Sequence, residues 1–172
     1  PVNTADIVIS EAGLGGAVAT VNTLVYERDG SCTDGDCSIV DALDVVAAAG
    51  GGVVQFQAIA SGNPSTITSD PAIGTPNISG NGAITIDATA VADGITFSGN
   101  NATPLLRLTG GVQCTADKVH FTEGHNPDTE TSGGGGAVIA RGATVTLRNG
   151  SVTQSTALDS GGGIDAVDSS IT

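Results

Sequence analysis

Residues 135–172 read GGAVIARGATVTLRNGSVTQSTALDSGGGIDAVDSSIT, and the stretch contains an echo of itself. Gly135-Gly136-Ala137-Val138 aligns with Gly161-Gly162-Gly163-Ile164 at an offset of 26 residues. The same offset carries Ala140 onto Ala166 and Val145-Thr146 onto Ile171-Thr172. Upstream, Ile95-Thr96-Phe97-Ser98 returns as Val119-His120-Phe121-Thr122 at an offset of 24. A β-sandwich has no reason to repeat itself. A β-solenoid does, because each coil of about 20–30 residues stacks on the previous one and fills the same inward positions.

Working outward, short strand-like runs alternate with Gly, Asn, Asp and Pro turns from residue 53 onward: STIT (65–68), ITID (84–87), ITFS (95–98), LLRL (105–108), VQCT (112–115), VHFT (119–122), AVIA (137–140), TVTL (144–147) and SIT (170–172). Inward Val, Ile, Leu and Ala would stack along the axis, with Thr, Ser and Asn outside. Gly would supply the corners, where positive φ or close backbone approach is needed, above all at 133–136 and 161–163. The acidic stretch His125 to Ser132 reads as a loop projecting between coils.

Toward the N-terminus, Asp6–Ser10 and Ala17–Tyr26 read as strands. One helix is expected, Ser38 to Ala49. Ser38 is the N-cap candidate with Asp41 three residues on, Ile39, Leu43, Val46 and Ala47 share a face, and Gly50 stops it. The expected fold is all-β: a right-handed parallel β-helix whose N-terminal cap contains one short α-helix. It forms one continuous domain, with residues 1–52 as N-terminal strands and cap helix and 53–172 as coils, open at the C-terminal end.

Composition agrees. Gly is 26 of 172 residues and aromatics are 2%, so the core must be thin and built from small aliphatic side chains. Hydrophobic content of 39% and mean hydropathy of +0.18 exclude a disordered acidic tail. Glycine without a G-X-Y period excludes collagen. A net charge of −13, with 5 Lys+Arg against 18 Asp+Glu, argues against nucleic acid and anionic membranes as partners. No apolar run approaches the ~18 residues that span a bilayer, so no membrane insertion of this segment is expected. The absence of Met implies that the chain does not begin where translation began. An end in mid-repeat at Ile171-Thr172 reads as a fragment of a longer stalk or a subunit that stacks end to end.

Cys32 and Cys37 lie in the turn DGSCTDGDCS, and a local disulfide can form if their Cα atoms come within about 7 Å. Two free thiols are the other reading. A disulfide would imply an oxidising, extracellular or periplasmic compartment. Cys114 reads as a small buried hydrophobe.

The segment from Gly30 to Leu43, GSCTDGDCSIVDAL, resembles the CSLREA motif that opens the N-terminal cap of many secreted right-handed parallel β-helix proteins. Cys37, Ser38, Ile39, Ala42 and Leu43 match, Asp41 is conservative for the family's Glu, and Val40 replaces its Arg. Val21-Asn22-Thr23 resembles the strand before the motif. GGAV (135–138) and GGGI (161–164) resemble the GGA(I/L/V) repeats of chlamydial polymorphic outer-membrane proteins. Phe97-Ser98-Gly99-Asn100 fits the companion F-x-x-N repeat, whereas 121–124 and 152–155 lack its Asn. The resemblance implies a secreted or cell-surface protein of the adhesin or autotransporter-passenger kind, with a protein or glycan on a cell surface as partner.

Candidate chemistry is sparse. Asp29, Asp34 and Asp36 could offer oxygen ligands to Ca²⁺, the one cofactor that comes into question, although their spacing is not that of an EF-hand and a solvated turn accounts for them. His120 and His125 flank Glu123, but alternation points His120 outward beside a loop. A polysaccharide lyase or hydrolase needs clustered carboxylates or an acid cluster with a base. Asp87, Asp93, Asp117, Asp165 and Asp168 are scattered, and the basic residues are only Arg28, Arg107, Lys118, Arg141 and Arg148. Thr144-Val145-Thr146 has the T-x-T form of an ice-binding ladder, yet no regular T-x-T row recurs at the coil period. The expectation is therefore a non-catalytic extracellular module, adhesive or stalk-like. A self-assembling filament subunit stacking through open edges is the alternative, and a fragment of a polysaccharide-active enzyme is the third reading.

Overall fold

The computed structural model describes residues 16–57, 65–127, 134–159 and 161–172. The chain is a parallel β-solenoid of about four turns with one short helix. Strand β1 (Ala17–Val21) and helix α1 (Ile39–Ala48) precede the first coil, β2 (Gly52–Phe56), β3 (Ser65–Thr68) and β4 (Asn77–Ser79). The second coil is β5 (Ala83–Asp87), β6 (Ile95–Ser98) and β7 (Leu106–Thr109). The third is β8 (Gln113–Asp117), β9 (Val119–Thr122), β10 (His125–Asn126) and β11 (Val138–Arg141). The fourth is β12 (Thr144–Arg148), β13 (Ser151–Thr153), β14 (Thr156–Ala157) and β15 (Ile164–Val167), and β16 (Ser170–Ile171) begins another. Stacking yields three long parallel sheets: sheet one (β1-β2-β5-β8-β12-β16), sheet two (β3-β6-β9-β13) and sheet three (β4-β7-β11-β15). The short pair β10-β14 is a fourth.

Both sequence echoes are ladder registers. Val138 pairs with Ile164 and Ala140 with Ala166, while Val145 pairs with Ile171. Ile95 pairs with Val119 and Phe97 with Phe121. The offsets differ because the corners differ. Seven residues join β5 to β6, whereas Lys118 alone joins β8 to β9. A full circuit on sheet one advances 30 residues from Ala83 to Gln113, 31 to Thr144, and 26 to Ser170.

Inward positions form columns that recur on every coil. Val54, Ile86, Ala116 and Leu147 make one, and Ile84, Cys114, Val145 and Ile171 another. The three phenylalanines all sit inside: Phe56, Phe97 and Phe121 run along the axis, with ring centroids 6.4 and 5.6 Å apart. Burial of Cys114 pushes its thiol up to about 12. In the native protein at about pH 8, Cys114 should therefore not react with a disulfide reagent, and denaturant should release one reactive thiol per chain. Rapid labelling of the native state would mean that the interior column is open.

The helix follows its signals. The Ser38 hydroxyl accepts the Asp41 N–H at 3.1 Å and has the Glu27 carbonyl and Asp41 Oδ2 each at 2.7 Å for its own proton. At the other end Gly50 N–H donates to Ala47 and Gly51 N–H to Val46, the double closure of a Schellman motif. Ile39, Leu43 and Val46 enter the core as α1 covers β1, β2 and β4.

Several expectations change. The strand expected over Ala17–Tyr26 ends at Val21, because Asn22 leaves the ladder: its Oδ1 accepts the Cys37 N–H and its Nδ2 donates to the Gly35 carbonyl. The expected projecting loop begins as β10, paired with β14. Its residues 128–132, Gly133, and the strand expected at Asp6–Ser10 lie outside the described residues. Glycine turns the corner before sheet three, where Gly135 and Gly161 occupy equivalent places with φ of 78° and 61°. Gly80, Gly110 and Gly142 turn the corner from sheet three to sheet one, where Asp168 takes the same place on the last coil, and Lys118, Glu123, Asn149 and Gln154 are non-glycine corner residues in the left-handed region. Such a conformation costs about 1–2 kcal/mol without glycine, and the stacked coils supply the compensating contacts.

Candidate functional site

Two regions gather the candidate residues: the turn above the cap helix and the outer faces of the coils. The turn is fixed from within. Cys32 and Cys37 form a disulfide, with Cα atoms 4.3 Å apart. Buried Asp41 reaches out of α1 to accept the Gly30 N–H at 3.0 Å, tying the turn to the helix start. Gly30 and Gly35 turn the chain at φ of 86° and 120°. The result brings Asp29, Asp34 and Asp36 together, with carboxylate oxygens within 4.8 Å of one another. Among the described residues this is the one group of three or more such side chains with metal-ligand spacing. All three are exposed, and Asp29 also accepts the Ser31 N–H. The carboxylates could share a hard cation, and water can equally solvate them. Glu27 nearby is held above the ordinary carboxylate range, by desolvation first and then by Asp36, Asp29, Asp41 and Asp34. Arg28 turns away to an exposed ion pair with Asp44 at 3.0 Å.

Beneath the turn, the only tyrosine, Tyr26, donates its hydroxyl to the Gly74 carbonyl at 2.7 Å and is pushed up to about 12, chiefly by burial. Phenolate absorbance should thus emerge with a midpoint near 12 rather than 10.0. The sign follows: the folded state resists deprotonation, so this contribution to stability is intact below pH 10.0 and is lost as pH rises toward about 12. A midpoint at the unperturbed value would remove the Tyr26–Gly74 contact.

The two histidines do not converge. His120 Nδ1 lies 3.0 Å from Ser151 Oγ, and His125 Nδ1 lies 2.9 Å from Thr156 Oγ1, each one coil below. Glu123 instead accepts the Ser98 hydroxyl at 2.8 Å. Asp165 forms an ion pair with Arg141 across one rung of sheet three. Asp87 and Asp117, far apart in sequence, become register neighbours on the outer face of sheet one. Each carboxylate is already engaged, Asp87 by Thr89 and Asp117 by Asn149.

On sheet two no T-x-T row recurs from coil to coil, since only Thr66-Ile67-Thr68 has that form and the other rungs mix Thr with Ser or His. The sheet's remaining positions stack as Thr66–Thr96–His120–Ser151 and Thr68–Ser98–Thr122–Thr153, a polar two-column array over four rungs in which Ser98 is buried. Sheet one adds a single column, Thr85–Thr115–Thr146. The array escapes a fixed-period reading because its rungs are 30, 24 and 31 residues apart. No helix among the described residues is long and apolar enough to cross a membrane, which leaves strands out of account. No family model, no curated protein and no solved structure matches the chain.

Proposed function

We propose that the protein is a non-catalytic extracellular or cell-surface module, adhesive or stalk-like, that presents its outer sheet faces to a protein or glycan. One observation carries this reading: a disulfide-pinned cap closes a rigid stack whose outward positions form unbroken polar columns. A disulfide persists where the medium is oxidising, and a stack of stiff rungs holds surface groups at fixed spacing. Two measurements test it together: localisation of the native protein in its source cells, and adhesion of protein-coated beads to cells or a glycan array. Surface localisation with saturable adhesion supports it. A cytosolic protein, or release of sugar fragments from a polysaccharide, overturns it.

A further inference from the structure

We infer that Asn101 is the acceptor of an N-linked glycan, attached before the second coil closes. The inference rests on the extracellular reading above, because such glycans are placed on exported chains. The sequence holds three Asn-X-Ser/Thr triplets without proline at X: Asn77-Ile78-Ser79, Asn101-Ala102-Thr103 and Asn149-Gly150-Ser151. All three asparagines are exposed, and the fold separates them. Asn149 already gives its Nδ2 to Asp117 Oδ1 at 2.9 Å. Asn77 lies within β4, in register with Arg107 one rung away, so a sugar there would crowd that side chain. Asn101 stands clear of every ladder, in the turn between β6 and β7, and its amide side chain makes no hydrogen bond among the described residues.

The turn is built to carry a bulky group. Its backbone is fixed, with the Asn101 N–H donating to the Glu123 carbonyl at 2.7 Å and the Ala102 N–H to the Gly99 carbonyl at 2.8 Å. Asn100 and Asn101 take left-handed φ of 48° and 54°, which asparagine tolerates better than most residues. The flanking side chains are exposed Asn100 and small Ala102, so a hydrophilic adduct displaces no buried contact. In the transfer, Asn101 Nδ2 bonds to the anomeric carbon of a lipid-diphosphate-linked oligosaccharide. The bond from that carbon to the diphosphate oxygen breaks, the lipid diphosphate leaves with the electron pair, and the amide gives up one proton. The transferase also reads the hydroxyl two residues on. In the folded chain that hydroxyl is shut away. Thr103 is 7% exposed, and its Oγ1 lies 2.8 Å from Ser69 Oγ of the coil before. The Thr103 carbonyl accepts the His125 N–H of the coil after, at 2.9 Å. A closed second coil thus offers the amide without the hydroxyl, and the sugar must arrive while 101–103 is still open.

The test uses the whole chain, purified from its source cells and mapped by fragmentation mass spectrometry. The peptide carrying Asn101 should be heavier by the mass of a glycan. Asn101→Asp, whose side chain also tolerates left-handed φ, should lose that increment, and Asn100→Asp should keep it. Circular dichroism verifies that both variants fold. Detergent-solubilised transferase from the same cells should modify Asn101 when present during translation and spare a chain folded beforehand. A native Asn101 without sugar overturns the inference, whichever of Asn77 and Asn149 is occupied. Modification of the prefolded chain as complete as that of the nascent chain also overturns it. A cytosolic protein defeats the extracellular reading itself, whereas a surface protein bare at Asn101 defeats only this inference, so the two failures are distinguishable.

Discussion

Phe121→Ala should destabilise the solenoid by about 3–5 kcal/mol, the usual loss for a buried phenylalanine. Phe121 is 1% exposed and stands in the sheet-two column between Phe97 above and Val152 below. Its ring meets Phe97 edge-on at 62° and 5.6 Å, a geometry worth about 0.5–1.5 kcal/mol beyond area burial. Neighbours in a sheet cannot collapse into the space, because each rung is hydrogen-bonded to the rungs on either side. The cavity therefore persists, which places the loss toward the upper end. A whole domain has only about 5–15 kcal/mol of stability, so the variant should be near its threshold.

The manner of unfolding is as informative as its magnitude. A solenoid sums nearest-neighbour terms, so weakening the third coil should uncouple what lies below it. Hydrogen exchange should show β12, β13 and β15 opening before α1 and β2. Chemical denaturation followed by circular dichroism supplies the free energy. Phe121→Leu, which keeps most of the volume, should lose less than about 1.5 kcal/mol if its neighbours repack. A Phe121→Ala loss below about 1 kcal/mol, well outside the range for buried aromatics, would mean that the column is not packed as described.

The same column shows what could be read in the sequence and what could not. Ile95–Ser98 and Val119–Thr122 resemble each other because they fill equivalent places around Phe97 and Phe121. An echo of this kind survives wherever the interior constrains both residues. Outward positions carry no such constraint. Thr96, His120 and Ser151 stack without resembling one another, so this sheet-two column is visible only through the register. Corner length hid it further, since Lys118 does alone what residues 88–94 do one coil earlier.

Local chemistry was more legible than long-range chemistry. Ser38, Asp41 and Gly50 mark the helix ends through hydrogen bonds to residues a few positions away. Cys32 and Cys37 close a turn that lies within one stretch. Asn22 misled for the opposite reason. It extends a run of β-formers, but its side chain is claimed by Cys37 and Gly35 across a turn that no local pattern announces. Asp87 and Asp117 likewise meet only through the coil.

Gly52→Ala should be the most damaging small substitution near the cap. Gly52 has φ of 152°, which side-chain-bearing residues rarely adopt, and it pairs with Ala17 of β1. A Cβ there would lie 2.0 Å from the Ala17 carbonyl oxygen and 2.8 Å from its nitrogen. Both are backbone atoms of the neighbouring strand, so no side chain can swing aside. Either Gly52 changes conformation or β1 leaves β2, and α1, which rests on both strands, loses its seat. Backbone strain of about 1–3 kcal/mol and overpacking of about 1–3 kcal/mol add, since they act on the same atoms in the same direction. At about 2–4 °C per kcal/mol for a chain of this size, the melting temperature should fall by roughly 5–20 °C. Gly80→Ala separates the two contributions. Gly80 has φ of 121° and no atom within 4 Å of the place its Cβ would take, so it retains the strain without the collision. The Gly52 variant should melt lower than the Gly80 variant and should open first at β1 and α1 by hydrogen exchange. Equal losses in the two would show that backbone conformation alone requires glycine, and that the close approach of β1 to β2 does not hold the cap in place.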